Sequence, residues 1–311
     1  MKMKSLFLIL LTTCLFVKAE VQQSLRNYIS SECNTLIGID MKGVFENPIL
    51  NALMQSAQGD EMKQMKELGL TPQDVESVII GLNSEAIASD PMAFEKQPEL
   101  ISISKVKEGI TLAKLLEAAK ANKVESKEEV IDGVKAIVMK KDGKEFVMAE
   151  LADKVIAIGS KGMVKKAISL KASPSESITK NGDLTKLATD QKGLFWVVGA
   201  APQGKAKDPN APLDNPMASM FGDLKMFTLS VGFGDKGVLL NSDLICNNSE
   251  GADKLAMTCQ LLTGFLAANE NSPVKPEQIK FSKNESTVNV KVSLDPASLI
   301  KAASAAKGLA E

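Results

Sequence analysis

Three glycines in the stretch from Leu229 to Cys246, LSVGFGDKGVLLNSDLIC, fall at Gly232, Gly234 and Gly237 in the spacing G-x-G-x-x-G. That spacing cradles a pyrophosphate when a strand leads into it and a helix leads out, because the helix N-terminus supplies unsatisfied N–H groups and partial positive charge. Here Val238, Leu240, Leu244 and Cys246 fall on one face of an extended chain, and Asn241 and Asp243 on the other. Such alternation predicts a strand, and Asn241-Ser242-Asp243 would be poor helix interior. The acidic residue that dinucleotide sites carry about 20 residues further on is missing, since that region reads as helix. Gly234 to Gly237 is therefore expected to be a hairpin turn, and no cofactor is expected.

Other chemistries fall away by residue type. The chain contains no histidine, which removes Ser-His-Asp and Cys-His sites, imidazole metal ligands and a neutral-pH switch. No G-x-S-x-G, Walker loop, paired-cysteine spacing or S-x-x-K with its companion motifs is present. Serine and lysine are abundant, so a Ser–Lys dyad stays open beside the simpler reading that they are solvated surface. No catalytic or metal-binding residue is assigned. Lys161, Lys165, Lys166 and Lys171 form a short basic stretch, a candidate anion-binding patch, although an ordinary solvated helix face with cations near its C-terminus also explains them. Cys33, Cys246 and Cys259 are an odd set. They are expected to be buried, inert thiols, with a single disulfide as the alternative.

The elements that would position these residues begin after a leader. Residues 1–19, MKMKSLFLILLTTCLFVKA, place Lys2 and Lys4 ahead of an apolar run of about 12 residues and end in Val17-Lys18-Ala19, a signal-peptide pattern. A spanning helix needs about 20 apolar residues, so no transmembrane helix is expected in the mature chain. Leu11-Thr12-Thr13-Cys14 resembles a lipoprotein box, making Cys14 a possible lipidation site, although Thr13 stands where that pattern has Gly, Ala or Ser. With 37 basic against 38 acidic residues, no global field gathers phosphate backbones, and nucleic acid is not expected as a partner.

Beyond the leader the same order of elements reads twice. Strands are expected at Thr35–Met41, Val75–Leu82 and Leu100–Val106, then a helix capped by Thr111, strands at Val134–Lys140, Glu145–Leu151 and Val155–Ile158, and a helix over Met163–Leu170. The polar stretch 172–192 reads as a linker. The pattern restarts with strands at Leu194–Val198, Met226–Phe233 and Val238–Cys246, a helix over Ala252–Ala268, a strand pair at Gln278–Ser282 and Thr287–Ser293, and a last helix from Pro296. Asn47-Pro48 and Asn215-Pro216 supply a helix cap at corresponding places.

The expected architecture is α+β: two tandem ferredoxin-like modules (β-α-β-β-α-β plus hairpin strand and helix), with antiparallel sheets carrying helices on one face, over residues 20–171 and 193–311. The expected function is an exported, non-enzymatic envelope protein, periplasmic or extracellular, or less readily lipid-anchored through Cys14. It would act as a binding or scaffold unit for an unidentified protein or envelope component. The alternatives are a histidine-free hydrolase using carboxylate, Ser or Lys, and a carrier of an apolar small molecule.

Overall fold

The computed structural model of the 311-residue chain describes residues 23–47, 69–84, 100–141, 144–191, 193–201, 222–234, 237–268 and 274–295. Its first half contains α1 (Gln23–Arg26), β1 (Thr35–Ile39), α2 (Met41–Glu46), β2 (Val75–Leu82), β3 (Leu100–Val106), α3 (Leu112–Ala121), β4 (Glu125–Ile131), β5 (Val134–Lys141), β6 (Lys144–Ala152), β7 (Val155–Gly159) and α4 (Lys161–Ala172). After α5 (Gly182–Asp190) come β8 (Phe195–Ala200), β9 (Leu224–Gly234), β10 (Gly237–Cys246), α6 (Ser249–Ala268), β11 (Ile279–Asn284) and β12 (Thr287–Leu294).

All twelve strands belong to one sheet, in the order β11-β12-β10-β9-β8-β1-β2-β3-β7-β6-β5-β4, and every ladder between them is antiparallel. The sequence pattern predicts two sheets instead. The two halves join because their first strands, TLIGI and FWVVGA, are apolar on both faces and would otherwise leave bare apolar edges. They pair with each other at the sheet centre, Ile37 opposite Val197 and Gly38 opposite Trp196. A split βαβ unit inserts another strand between its first two, whereas here β1, β2 and β3 are direct neighbours, as are β8, β9 and β10.

Helices cover both faces of this sheet, not one. Thr111 caps α3 by accepting from the Lys114 N–H. The helix then buries Leu112, Leu115, Leu116 and Ala119 at helical spacing against Ile137, Met139 and Met148. Ser160 caps α4 in the same way, accepting from the Met163 N–H, and α4 buries Met163, Val164, Ala167 and Ile168 against Ala136, Val138 and Val147. Consecutive residues of β5 thus face opposite helices, as the two-residue period of a strand requires.

Four elements are not in the sequence pattern: the short α1; α2, which begins at Met41 because Asp40 caps it where a strand is expected to run on to that residue; β4; and α5. β4, ESKEEVI, carries three glutamates and a lysine and lies at the outer edge of the sheet. The stretch 172–192 holds two single 3₁₀ turns and α5, which bury Ile178, Leu184 and Ala188. The Ile178 N–H donates to the Ile29 carbonyl, so these residues pack into the core where a linker is expected from composition. The leader with Cys14, the helix from Pro48, the Asp142-Gly143 turn, the proline-rich loop up to Pro216 and the helix from Pro296 lie outside the described residues.

Candidate functional site

The glycine fingerprint sits at the β9–β10 connection, where Gly237 is the ladder partner of Gly234. A strand follows it, as the alternation after Gly237 predicts. Gly237 has φ +127°, and an added Cβ would run into the Leu294 carbonyl oxygen. Its lack of a side chain lets β12 end beside the turn.

The lysine patch is brought together on α4 and is met there by carboxylates. Lys161 is bonded to Glu129 of β4, Lys165 lies 3.6 Å from Asp132, and Lys166 lies 2.6 Å from Glu32. The bond from Lys161 holds the Glu129 carboxyl below its ordinary range, and the same bond holds the Lys161 ammonium up. At three of the four lysines an arriving anion therefore meets a charge that a carboxylate already balances. Lys171, in the last turn of α4, is exposed.

Cys33 and Cys246 are buried and Cys259 is half-buried. Burial, and after it the nearby Asp223 and Cys259, pushes the Cys246 thiol up, and burial does the same to Cys259. Both therefore stay protonated and poorly nucleophilic.

Two ionisable groups of the interior do not stand out in the sequence. Asp40 is 4% exposed; burial pushes its carboxyl up, and the Gly43 N–H that it accepts as the cap of α2 pulls the other way. Arg26, also 4% exposed, donates to the carbonyls of Thr185 (3.2 Å) and Ala188 (3.0 Å) and to Thr189 Oγ1 (2.7 Å). Its guanidinium lies 5.8 Å from the Trp196 ring centroid. Both groups act locally in the fold, since Asp40 starts a helix and Arg26 closes the last turns of α5. Among the described residues no group of three or more His, Cys, Asp or Glu side chains is placed to hold a metal ion.

An apolar strip lies in the middle of one sheet face, between α3 and α6. Ile37, Leu194, Phe195 and Val231 are buried there. Around them Ile39, Ile80, Leu82, Val197, Leu229 and Leu240 are only half-buried. This strip crosses the seam between the two halves and can receive apolar surface. Asp40 borders it, its N–H donating to the Leu194 carbonyl, with its carboxyl engaged in capping α2.

No family model matches the chain, and no curated protein matches it. Among solved structures, crystal form III of TP0453 aligns over 89% of this chain and 97% of its own, with a TM-score of 0.50 and 8% identity. Crystal form I of TP0453 aligns over 92% and 98%, with a TM-score of 0.47 and 10% identity. At 8% identity the likeness to form III concerns the fold, and it runs over nearly the full length of both chains.

Proposed function

We propose that the chain is an exported, non-enzymatic protein of a cell envelope that acts as a binding or scaffold unit. One observation carries this reading: the described groups whose acidity is displaced each have a structural reason. Asp40 caps a helix, Glu129 and Glu250 are bound to lysines, and Cys246 of β10 and Cys259 of α6 belong to the apolar cluster between that helix and the sheet. Catalytic sites instead tend to gather perturbed groups in one cleft. The leader of residues 1–19 supports export, and Cys14 supplies the lipid-anchored version of the same reading.

The two halves share a plan that favours an internal duplication. In each, three strands meander outward from the centre, a helix follows, and the last strand returns to pair with the third, as β7 with β3 and β12 with β10.

A second reading, a carrier of an apolar small molecule, is favoured by the half-buried apolar strip alone. Intact-mass analysis of the native protein from soluble and membrane fractions, with extraction of bound molecules, tests both. A mass starting at Glu20 with no co-purifying lipid supports the soluble binding unit. An acylated Cys14 moves it to the membrane, and a stoichiometric apolar ligand replaces the scaffold reading with the carrier.

A further inference from the structure

We infer that the sheet face formed by β9, β10, β12 and β11 on the side away from α6 is a binding site for an acidic saccharide, whose anionic group is held by Lys280 and Lys291. One line of ladder partners across the sheet shows where this face begins. From Ala157 of β7 the line passes through Ile103, Ile79 and Gly38 to Trp196, every one of them buried, on the face that α4 and α5 cover. Beyond Trp196 it continues as Ser230, Asn241, Lys291 and Lys280. Directly paired residues share a face of the sheet, so these four polar side chains stand in one row. α6 packs on the opposite face of the same strands, against Leu244, Val288 and Val290.

The row carries donors that the fold leaves unused. Among the described residues, none of the four side chains has a hydrogen-bond or ion-pair partner. Ser230 lies deepest, at 9% exposed, Asn241 is half-buried, and both lysines are exposed. The neighbouring row is closed on itself: Asp243 accepts from Asn289 Nδ2 at 2.6 Å and from Thr228 Oγ1 at 3.4 Å, so the carboxylate beside the site is engaged within the sheet. Lys280 and Lys291 are direct ladder partners. Like charges directly opposite each other destabilise a sheet, and, unlike three of the lysines on α4, neither of these is balanced by a carboxylate. An anionic group between them removes that repulsion.

The length and grading of the row favour a saccharide over a small anion. Neighbouring strands lie about 4.8 Å apart, so three gaps set Ser230 about 14 Å from Lys280. A lone phosphate or carboxylate reaches only the lysine end. The serine hydroxyl and the asparagine amide each donate and accept, which suits the hydroxyls of a sugar, while two ammonium groups suit its acidic substituent. A nucleic acid would need a wider basic field and ring faces on which to stack, and this row offers neither. Such a ligand presupposes the reading of the chain as a binding unit, and narrows its partner to a glycan of the envelope.

An array of neutral, carboxylated and sulfated oligosaccharides, probed with the labelled mature chain, tests this. Retention on acidic members, and not on neutral ones of the same length, is expected. Lys280→Gln with Lys291→Gln should weaken that binding about tenfold or more, as the loss of two charge-assisted bonds, without lowering the melting temperature, because the same change removes a repulsion. Ser230→Ala should weaken it by a smaller factor, and Lys165→Gln with Lys166→Gln on α4 should leave it unchanged. No retention on any member, equal retention on neutral members, equal losses from both lysine pairs, or no loss from Ser230→Ala overturns the saccharide site and leaves a binding unit for a protein intact. Full competition by inorganic phosphate at the same molar concentration also overturns it, since only an anion is then read. A stoichiometric apolar ligand on the native protein instead overturns the binding unit, and this site with it.

Discussion

At the scale of single residues, the seam between the halves depends on what one glycine leaves out. Gly38 sits opposite Trp196, and a Cβ on it would enter the indole ring. Trp196 is 1% exposed and has no free side to move toward. Gly38→Val should therefore cost about 3 kcal/mol or more, at the upper end of overpacking effects, read as a lower urea midpoint. Trp196→Leu added to it should recover part of that loss, because the two substitutions share one volume.

Asp40 gives the residue scale a pH dependence of definite sign. Burial raises its carboxyl in the folded chain, so on raising the pH the unfolded chain ionises at this residue first. Across the window from the ordinary carboxylate value up to the raised folded value the unfolded state holds fewer protons, and stability falls as pH rises. Asp40→Asn keeps an acceptor for the Gly43 N–H and removes the buried charge. Denaturant melts at several pH values should show the variant gaining on the parent from acid to neutral pH, with no gain well below the ordinary carboxylate value. A constant difference would mean that ionisation plays no part.

At the scale of elements, α4 is tied by its lysines to β4, to the turn after it and to the segment before β1. These pairs are solvent-exposed, so each contributes little to stability. Their larger effect is to neutralise the patch. Replacing Glu32, Glu129 and Asp132 by Gln, Gln and Asn should raise the salt concentration at which the chain leaves an anionic resin, with only a small change in melting temperature. Unchanged elution would show that the lysines do not act as a unit.

The strands Val75–Leu82 and Leu100–Val106 and the Thr111 cap were legible because buried alternation and cap chemistry are local signals. β4 was not, because its glutamates and lysine belong to an edge strand, where charge guards against pairing with another chain and hides the apolar pattern. α5 was not, because Ser, Pro, Asn and Gly before it imitate a linker, while the stretch is held by contacts distant in sequence, Ile178 to Ile29 in the turn before the helix and Arg26 to the Thr185 and Ala188 carbonyls in the helix itself. The lysine patch could be named from spacing. Its carboxylate partners could not, since Glu32 is 134 residues from Lys166.

For the whole molecule, the single sheet replaces two independent modules by one body. The central ladder joins β1 and β8, and the cluster containing Trp196 and Val198 also holds Ile79, Ile103 and Val164 from the other half. Calorimetry should therefore show one transition, with the van't Hoff and calorimetric enthalpies in agreement. Two resolved transitions would mean that the halves melt separately and that the seam adds little cooperativity.

The seam also imposes an order in time. Thr35 lies opposite Gly199, so β1 leaves the ribosome long before its partner exists. All the strands that flank β1 on its other side, β2 onward, can assemble first. Through that interval β1 offers a bare, apolar edge to any extended chain nearby. The molecule is thus most open to mispairing while half made, and whatever holds the nascent chain unfolded until β8 has emerged guards that edge.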